Sequence, residues 1–316
     1  MHALLLFISL FVLFTLELIY LKIADKYNII DHPNERSSHS NITIRGGGII
    51  FVVAAVGALC LHFTYFFPAL LGIILVGIIS FLDDLYTLSN TIRILFHVIS
   101  VSLVFIFLGI FSSFFIWEIL LLYILSIGVI NAYNFMDGIN GMTGCYSLVV
   151  LSGLQYVNVY KIHFINTDLI WLPIIACLVF LFFNFRKKAK CFAGDVGSIT
   201  IALWITTITL DLIFQTKNWS YILFLSVYGV ESILTICHRL LLKQNIFEAH
   251  RLHVYQLLVN ERRMPHLLVS FSYALIQTGI IGFVILNPDH SFTTLSCITI
   301  LPLVLLYMFI KPRLLQ

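Results

Sequence analysis

Apolar runs long enough to cross a bilayer recur along the whole chain, and this recurrence limits its fold more than any other feature. A spanning helix needs about 20 mostly apolar residues, because its backbone polar groups must be paired within the membrane. Eleven spans are predicted, at 3–21, 47–66, 68–82, 93–110, 113–132, 141–157, 169–185, 196–212, 219–237, 266–286 and 292–310. Of 316 residues, 60% are hydrophobic and 10% charged, against about 25% charged in a soluble domain, and the mean hydropathy is +1.02. These values exclude a disordered chain, a disulfide-built secreted scaffold and a nucleic-acid-binding module. The six cysteines (Cys60, Cys145, Cys177, Cys191, Cys237 and Cys297) show no CxxC pair or metal-ligand spacing and read as small core residues. The opening MHALLLFISLFVLF has no basic n-region or small-residue cleavage site and is expected to stay as the first span. The expected architecture is an all-α integral membrane protein, a single polytopic domain over 1–316.

The basic residues set an expected orientation. Alternate loops, at 22–46, 83–93, 133–140, 186–195, 238–265 and after 310, hold all but Lys161 and Lys217 of the 18 Lys and Arg residues. By the positive-inside rule these loops face the cytoplasm, leaving the N-terminus periplasmic and the C-terminus cytoplasmic. No internal repeat or low-complexity linker divides the chain.

The acids and amides fall on that same side. Asp31, Asp83, Asp84, Asp137 and Asp195 come from four segments, DHPNERSSH, FLDD, NAYNFMDGING and FAGDVGS. One-sided placement points to a catalytic surface at the cytoplasmic face, since a transporter more often carries its ionisable groups near the midplane. Adjacent Asp83 and Asp84 repel each other unless a cation intervenes; they read as a divalent-metal site, as a base with a raised pKa, or as a solvated helix end. Asp195 lies in Gly-Asp-Val-Gly-Ser, where glycines admit a ligand close to the backbone. With the Asp83–Asp84 pair it would offer the oxygen-rich, partly hydrated shell that Mg²⁺ prefers. Asp137 reads as a further metal contributor or as a substrate contact. The amides of NAYNFMDGING need partners, either a polar ligand or neighbouring helices. Arg45 precedes three glycines and suits phosphate, although no GK[ST] follows and the stretch is not a P-loop.

Arg93 and His97 lie four apart on one helix face; Arg93 reads either as snorkelling to the headgroups or as holding a lipid phosphate. The basic loop 238–265 places His250 and His253 three apart and is apolar enough for part of it to lie on the membrane as an interfacial helix. Glu17 and Glu231, within spans, read as helix–helix contacts or protonated acids. Acids with metal, Arg and His at a lipid boundary fit phosphoryl chemistry, in which the cation neutralises charge on the transferred group. The residues alone reach a metal-dependent transfer involving phosphate, with one lipid and one cytosolic substrate.

These segments, taken with RGGG and the histidine loop and read in order, resemble the polyprenyl-phosphate N-acetylhexosamine-1-phosphate transferase family along nearly the whole chain. NERSSHS, RGGGI and NFMDGING are closest to its bacterial O-antigen-initiating branch. The resemblance implies that Asp195 is the main Mg²⁺ ligand, with Asp84 beside it and Mn²⁺ able to substitute. It implies that Asp83 and Asp84 are the essential pair, one of which deprotonates the polyprenyl phosphate. Asn134 and Asp137 would lie near the nucleotide sugar and the metal, Phe192 where a ring can stack on uracil, and His253 in the loop that reaches the pyrophosphate, together with His250 and Arg251. Arg93 would bind phosphate, and His39 and Arg45 would line the pocket. Three positions depart from the family: Thr87 and Asn140 stand where it often has acids, and His253-Val254-Tyr255-Gln256 where it has two or three histidines. The first two departures shift metal duty onto Asp83, Asp84 and Asp195.

The expected activity is transfer of N-acetylhexosamine-1-phosphate from a UDP-N-acetylhexosamine to undecaprenyl phosphate with release of UMP, a reaction of EC 2.7.8 type, in the bacterial inner membrane. Expected partners are those two substrates, with no nucleic acid and with a homodimer left open. The alternatives are a flippase for a lipid-linked sugar, a modified donor such as UDP-N-acetylfucosamine or UDP-N-acetylquinovosamine, another polyprenyl acceptor, and a two-step route through an aspartyl phosphate.

Overall fold

The computed structural model describes residues 3–31, 42–64, 66–246 and 250–314. His39 lies outside the described residues. The helices are α1 (Ala3–Lys26), α2 (Ile49–Leu61), α3 (Phe67–Tyr86), α4 (Asn90–Phe107), the short α5 (Ile110–Ser113), α6 (Ile116–Met136), α7 (Met142–Tyr160), α8 (Asp168–Asn184), α9 (Gly194–Thr216), α10 (Ser226–Leu241), α11 (Val254–Asn260), α12 (His266–Leu286) and α13 (Phe292–Leu314). A 3-10 turn, Trp219–Leu225, leads into α10, and a two-residue antiparallel ribbon joins β1 (Ile30–Asp31) to β2 (Thr43–Ile44).

Each expected span falls on a helix. Among the described residues, 8 helical segments are long and apolar enough to cross a membrane. The other three expected spans fall on α2 and α8, which have 13 and 17 residues, and on α7, whose sequence includes Gln155 and Asn158. Helix ends differ from the expected edges. α3 runs on through Asp83 and Asp84, and α6 runs through Asn131 and Asn134 to Met136, where loops were expected at 83–93 and 133–140. Hydropathy marks where the lipid stops, but a helix pairs its own backbone and continues into water without loss. The expected loop 238–265 is likewise shorter: α10 extends to Leu241, and α11 tucks Val254, Tyr255, Leu257 and Val259 into the protein against α12 and α13.

The central helix is α9, buried along its length and packed by α2, α3, α6 and α7. Two of its buried threonines find an acceptor one turn back: Thr206 donates to the Ala202 carbonyl and Thr207 to that of Leu203, both at 2.7 Å. α1 and α13 lie at the rim and keep most side chains outward. At the break between the 3-10 turn and α10, Gln277 of α12 takes over the backbone pairing. Its Oε1 accepts from the Val227 N–H at 3.1 Å and the Tyr146 hydroxyl at 2.8 Å, while its amide donates to the Leu223 carbonyl at 3.0 Å.

One contact fixes α2 against the start of α9. A Cβ on Gly48 would lie 2.1 Å from the Gly197 Cα, and one on Gly197 would lie 2.7 Å from the Gly48 Cα. Backbone cannot yield as a flexible side chain can. Gly48→Ala is therefore expected to reach the upper end of the roughly 1–3 kcal/mol typical of overpacking, read as a lower thermal midpoint in detergent. A wild-type midpoint would show that this approach is not tight.

Candidate active site

The site forms where the ends of α3, α4, α6 and α9 meet. α3 closes at Thr87, which adopts a left-handed conformation (φ 51°), and the turn brings the Leu88 N–H to Asp83 Oδ1 at 2.6 Å. Arg93, in the first turn of α4, then bridges two carboxylates. Its Nε lies 3.1 Å from Asp83 Oδ2 and its Nη2 lies 3.2 Å from Asp195 Oδ2. Asp195 stands in the first turn of α9. Its Oδ1 accepts from the Asn134 amide of α6 at 2.9 Å, and the same amide reaches Ser198 Oγ at 3.3 Å. Arg93 thus has two carboxylate partners within the site, which neither of its two readings from sequence named.

Asp83 and Asp84 are adjacent but do different work. Successive helical residues point about 100° apart, so while Asp83 turns to Arg93, Asp84 turns inward to α9. Its two oxygens accept the backbone N–H groups of Asp195 and Val196, each at 3.0 Å, and Arg45 Nη2 lies 2.8 Å from Oδ1. A carboxylate belongs there, since the first N–H groups of a helix lack intrahelical partners and carry the positive end of its dipole. Gly194 makes the approach possible: it has φ +71°, and a Cβ would come within 2.5 Å of Asp84 Oδ2.

Beside this cluster opens a pocket of about 200 Å³, lined by Arg45, Asn134, Asp137, Phe192 and Asp195 together with Asp31, Asn140, Gln256 and His266. Asp137 caps the end of α6, and its Oδ1 accepts from the Thr143 hydroxyl at 2.6 Å. Burial pushes its carboxyl up to about 7, against the Thr143 hydrogen bond that lowers it. Four expected site residues, Arg45, Asn134, Asp137 and Phe192, thus share one pocket with Asp195. Asp83, Asp84 and Arg93 stand beside it.

The two histidines of the basic loop pack nearby without lining the pocket, which Gln256 of the same loop reaches. His250 and His253 stack at 4.9 Å, and Phe135, next to Asn134, lies 6.4 and 6.1 Å from their rings. The Tyr255 hydroxyl ties the loop to the Phe135 carbonyl at 2.8 Å. Glu231 accepts from the Tyr255 N–H at 3.3 Å and from the Tyr273 hydroxyl, the helix-contact role expected of it. Burial pulls His250 down to about 4 and holds His253 well below the ordinary histidine range. His253 Nδ1 also lies 3.7 Å from Glu231 Oε1, and guanidinium charge reaches the pocket and its edge from Arg45 and Arg93. Arg251 is half-buried in the turn between the two histidines and does not line the pocket.

The donor set suits a hard divalent cation. Asp83 and Asp195 are oxygen donors, and a single guanidinium currently supplies the counter-charge to both; the Asp195 side chain is 21% exposed, which leaves room for the water that Mg²⁺ retains. Among the described residues no group of three His, Cys, Asp or Glu side chains is gathered at metal-binding spacing, so substrate oxygens and water would complete the shell. Asp84, with both oxygens taken by N–H groups, is poorly placed as a direct ligand.

Several contributors carried no sequence signal. Thr143 and His266 are ordinary residues in position and type, and Ser198 and Gln256, although they end the GDVGS and histidine segments, gave no sign of the contacts that the fold gives them. Asp31 was visible as an acid of the first polar segment between spans but gave no sign that it lines the pocket.

Carboxylates and guanidinium groups gathered at one end of a helical bundle suit phosphoryl groups, and the relatives of this chain are membrane phospho-sugar transferases. The profile of glycosyl transferase family 4 matches residues 66–213, the stretch that carries Asp83, Asp84, Arg93, Asn134, Asp137, Phe192 and Asp195. The chain is 31% identical over 227 residues to a phospho-N-acetylmuramoyl-pentapeptide-transferase of Dictyoglomus thermophilum, covering 66% of this chain and 71% of the relative. It is 28% and 27% identical to undecaprenyl-phosphate alpha-N-acetylglucosaminyl 1-phosphate transferases of Thermotoga maritima (79% of this chain, 80% of the relative) and Escherichia coli K12 (86% and 81%). The chain belongs to this family, the polyprenyl-phosphate N-acetylhexosamine-1-phosphate transferases.

Proposed function

We propose that this protein transfers N-acetylhexosamine-1-phosphate from a UDP-N-acetylhexosamine to undecaprenyl phosphate in the bacterial inner membrane. The products are the undecaprenyl-diphosphate-linked sugar and UMP, and the step initiates O-antigen or another cell-surface polysaccharide. The site faces the cytoplasm, with the N-terminus periplasmic. The observation that carries this reading is the meeting of Asp83, Asp195 and Asn134 around Arg93, beside a pocket that Phe192 and Arg45 line. A pocket with this aromatic ring and guanidinium suits a nucleotide diphosphate, and the adjoining Asp83–Arg93 pair suits a second phosphate arriving from the lipid.

Asp83 keeps the lipid phosphate deprotonated, and Arg93 holds that phosphate beside the donor. An oxygen of the lipid phosphate forms a bond to the sugar-linked phosphorus, and the bond from that phosphorus to its bridging oxygen breaks, so the electron pair leaves with UMP. Asn134 fixes the Asp195 carboxylate, and Arg45 neutralises the donor diphosphate. Mg²⁺, held by Asp195 with Asp83, would supply charge neutralisation at the transferred phosphate. One phosphoanhydride replaces another, so the reaction is near balance and added UMP should regenerate donor.

Asp137 gives the reading a pH signature. With its carboxyl at about 7, it is neutral below that pH and charged above, so kcat/KM is expected to climb as pH rises through 7. Thr143→Val removes the hydrogen bond that lowers this carboxyl and should move the limb to higher pH, while Asp137→Asn should abolish it. A limb unmoved in both variants would separate Asp137 from the reaction. The reaction itself is tested with donor labelled in the sugar and in the sugar-linked phosphorus: both labels should enter the lipid fraction together. Entry of the sugar label alone would contradict the proposal.

A further inference from the structure

Helix α1 sits at the rim, yet the stripe it turns inward is partly polar. Leu13, Glu17 and Ala24 are buried there, with Tyr20 half-buried between them. Leucine at position 20 would serve for packing alone. Instead the Tyr20 hydroxyl donates to the Arg45 carbonyl at 2.6 Å, and its ring meets Phe81 edge-on at 6.3 Å, one turn before Asp84 on α3. The next residue, Gly46, has φ +77°, and a Cβ there would lie 2.6 Å from that hydroxyl. Any side chain at position 46 would therefore displace the tyrosine.

The strand bearing Arg45 is held from its other side as well. Arg45 N–H donates to the Ile29 carbonyl at 3.1 Å, the Gly47 and Gly48 N–H groups donate to the Phe192 and Ala193 carbonyls at 2.8 and 3.0 Å, and Phe192 N–H donates to the Ile44 carbonyl at 2.8 Å. From this fixed backbone the Arg45 guanidinium reaches Asp84, which in turn holds the Asp195 N–H. A continuous path of polar contacts thus runs from the rim helix through Arg45 and Asp84 to Asp195, along the segment to which the Phe192 backbone is hydrogen-bonded.

We propose that Tyr20 is a positioning residue for Arg45, so that α1 sets the donor-binding side of the pocket. This rests on the donor reading given above. Removing the hydroxyl leaves ring packing intact but frees the Arg45 carbonyl, so the guanidinium's origin is held by the N–H side of the segment alone. Tyr20→Phe is expected to raise the KM for the nucleotide-sugar donor about fivefold, the scale of one lost hydrogen bond. The KM for polyprenyl phosphate and the thermal midpoint should stay near wild type, which a general packing defect would not allow.

The test is a double-mutant cycle on the purified full-length protein, reading UMP release against donor and lipid concentration. In an Arg45→Ala background, Tyr20→Phe should change donor KM by less than about twofold, because its effect passes through Arg45. Full additivity of the two substitutions, or a wild-type donor KM in Tyr20→Phe, overturns the inference while leaving the transfer reaction standing. Absence of UMP from the wild-type protein overturns the transfer reading itself, and the inference with it.

Discussion

Replacing Asp195 by asparagine is expected to lower kcat by about 10³-fold, the upper part of the range for removing one preorganised charge-stabilising group, while the protein stays inserted and monodisperse. The geometry separates these two outcomes. Asp195 makes its side-chain contacts to Arg93 and Asn134 at the partly exposed edge of the site, and the N-terminus of α9 is held by Asp84 through backbone N–H groups that the substitution does not touch. Asparagine keeps the shape and one acceptor but not the charge that pairs with Arg93 and that the proposed Mg²⁺ would require. The apparent affinity for Mg²⁺ should fall together with kcat. Turnover near wild type in Asp195→Asn would remove this residue from the centre of the site.

The opposite pattern is expected at Asp84. Asp84→Ala strips the partners from two helix N-terminal N–H groups and leaves the Arg45 guanidinium without its anion, at a side chain with no solvent exposure of its own. Removing one member of a buried ion pair costs about 3–5 kcal/mol; the Arg45 side chain is 35% exposed, which places the expected loss at the lower end, about 3 kcal/mol. Activity should vanish with stability, since Arg45, Gly194 and the first turn of α9 are all set by this carboxylate. Thermal unfolding in detergent, measured beside Asp195→Asn, distinguishes the two acids: Asp84→Ala lowers the midpoint and Asp195→Asn does not. An Asp84→Ala protein as stable as wild type would mean that the α9 N-terminus finds another partner.

The contrast between these acids also shows how far the sequence could be read. Asp83 and Asp84 were legible as a pair at a membrane boundary, because two carboxylates ending an apolar run are costly without a counter-charge. Their division of labour was not legible, because it depends on how α9 packs against α3, and nothing within FLDD encodes that. The apolar runs placed the helices well, since hydropathy reports burial in lipid directly. They misplaced the ends of α3 and α6 because a helix does not stop where lipid stops, and the site residues ride on those extra turns. Asn134 and Asp195 were found by their unusual polarity near glycines. Tyr20 and Thr143 were not: a tyrosine near a span's end passes for an interfacial anchor, and a lone threonine has no pattern. The histidines were found by type, yet their place behind Phe135 came only from the way α11 folds into the protein.

The central claim is that the bond broken lies between the two phosphorus atoms of the donor. It is tested most directly by identifying the nucleotide released when the purified protein is given a UDP-N-acetylhexosamine, Mg²⁺ and undecaprenyl phosphate. UMP is predicted, appearing only when the lipid is present and in step with lipid-linked sugar, and the best donor of a panel names the sugar. Release of UDP would mean ordinary glycosyl transfer with cleavage at the sugar carbon, and would contradict the account.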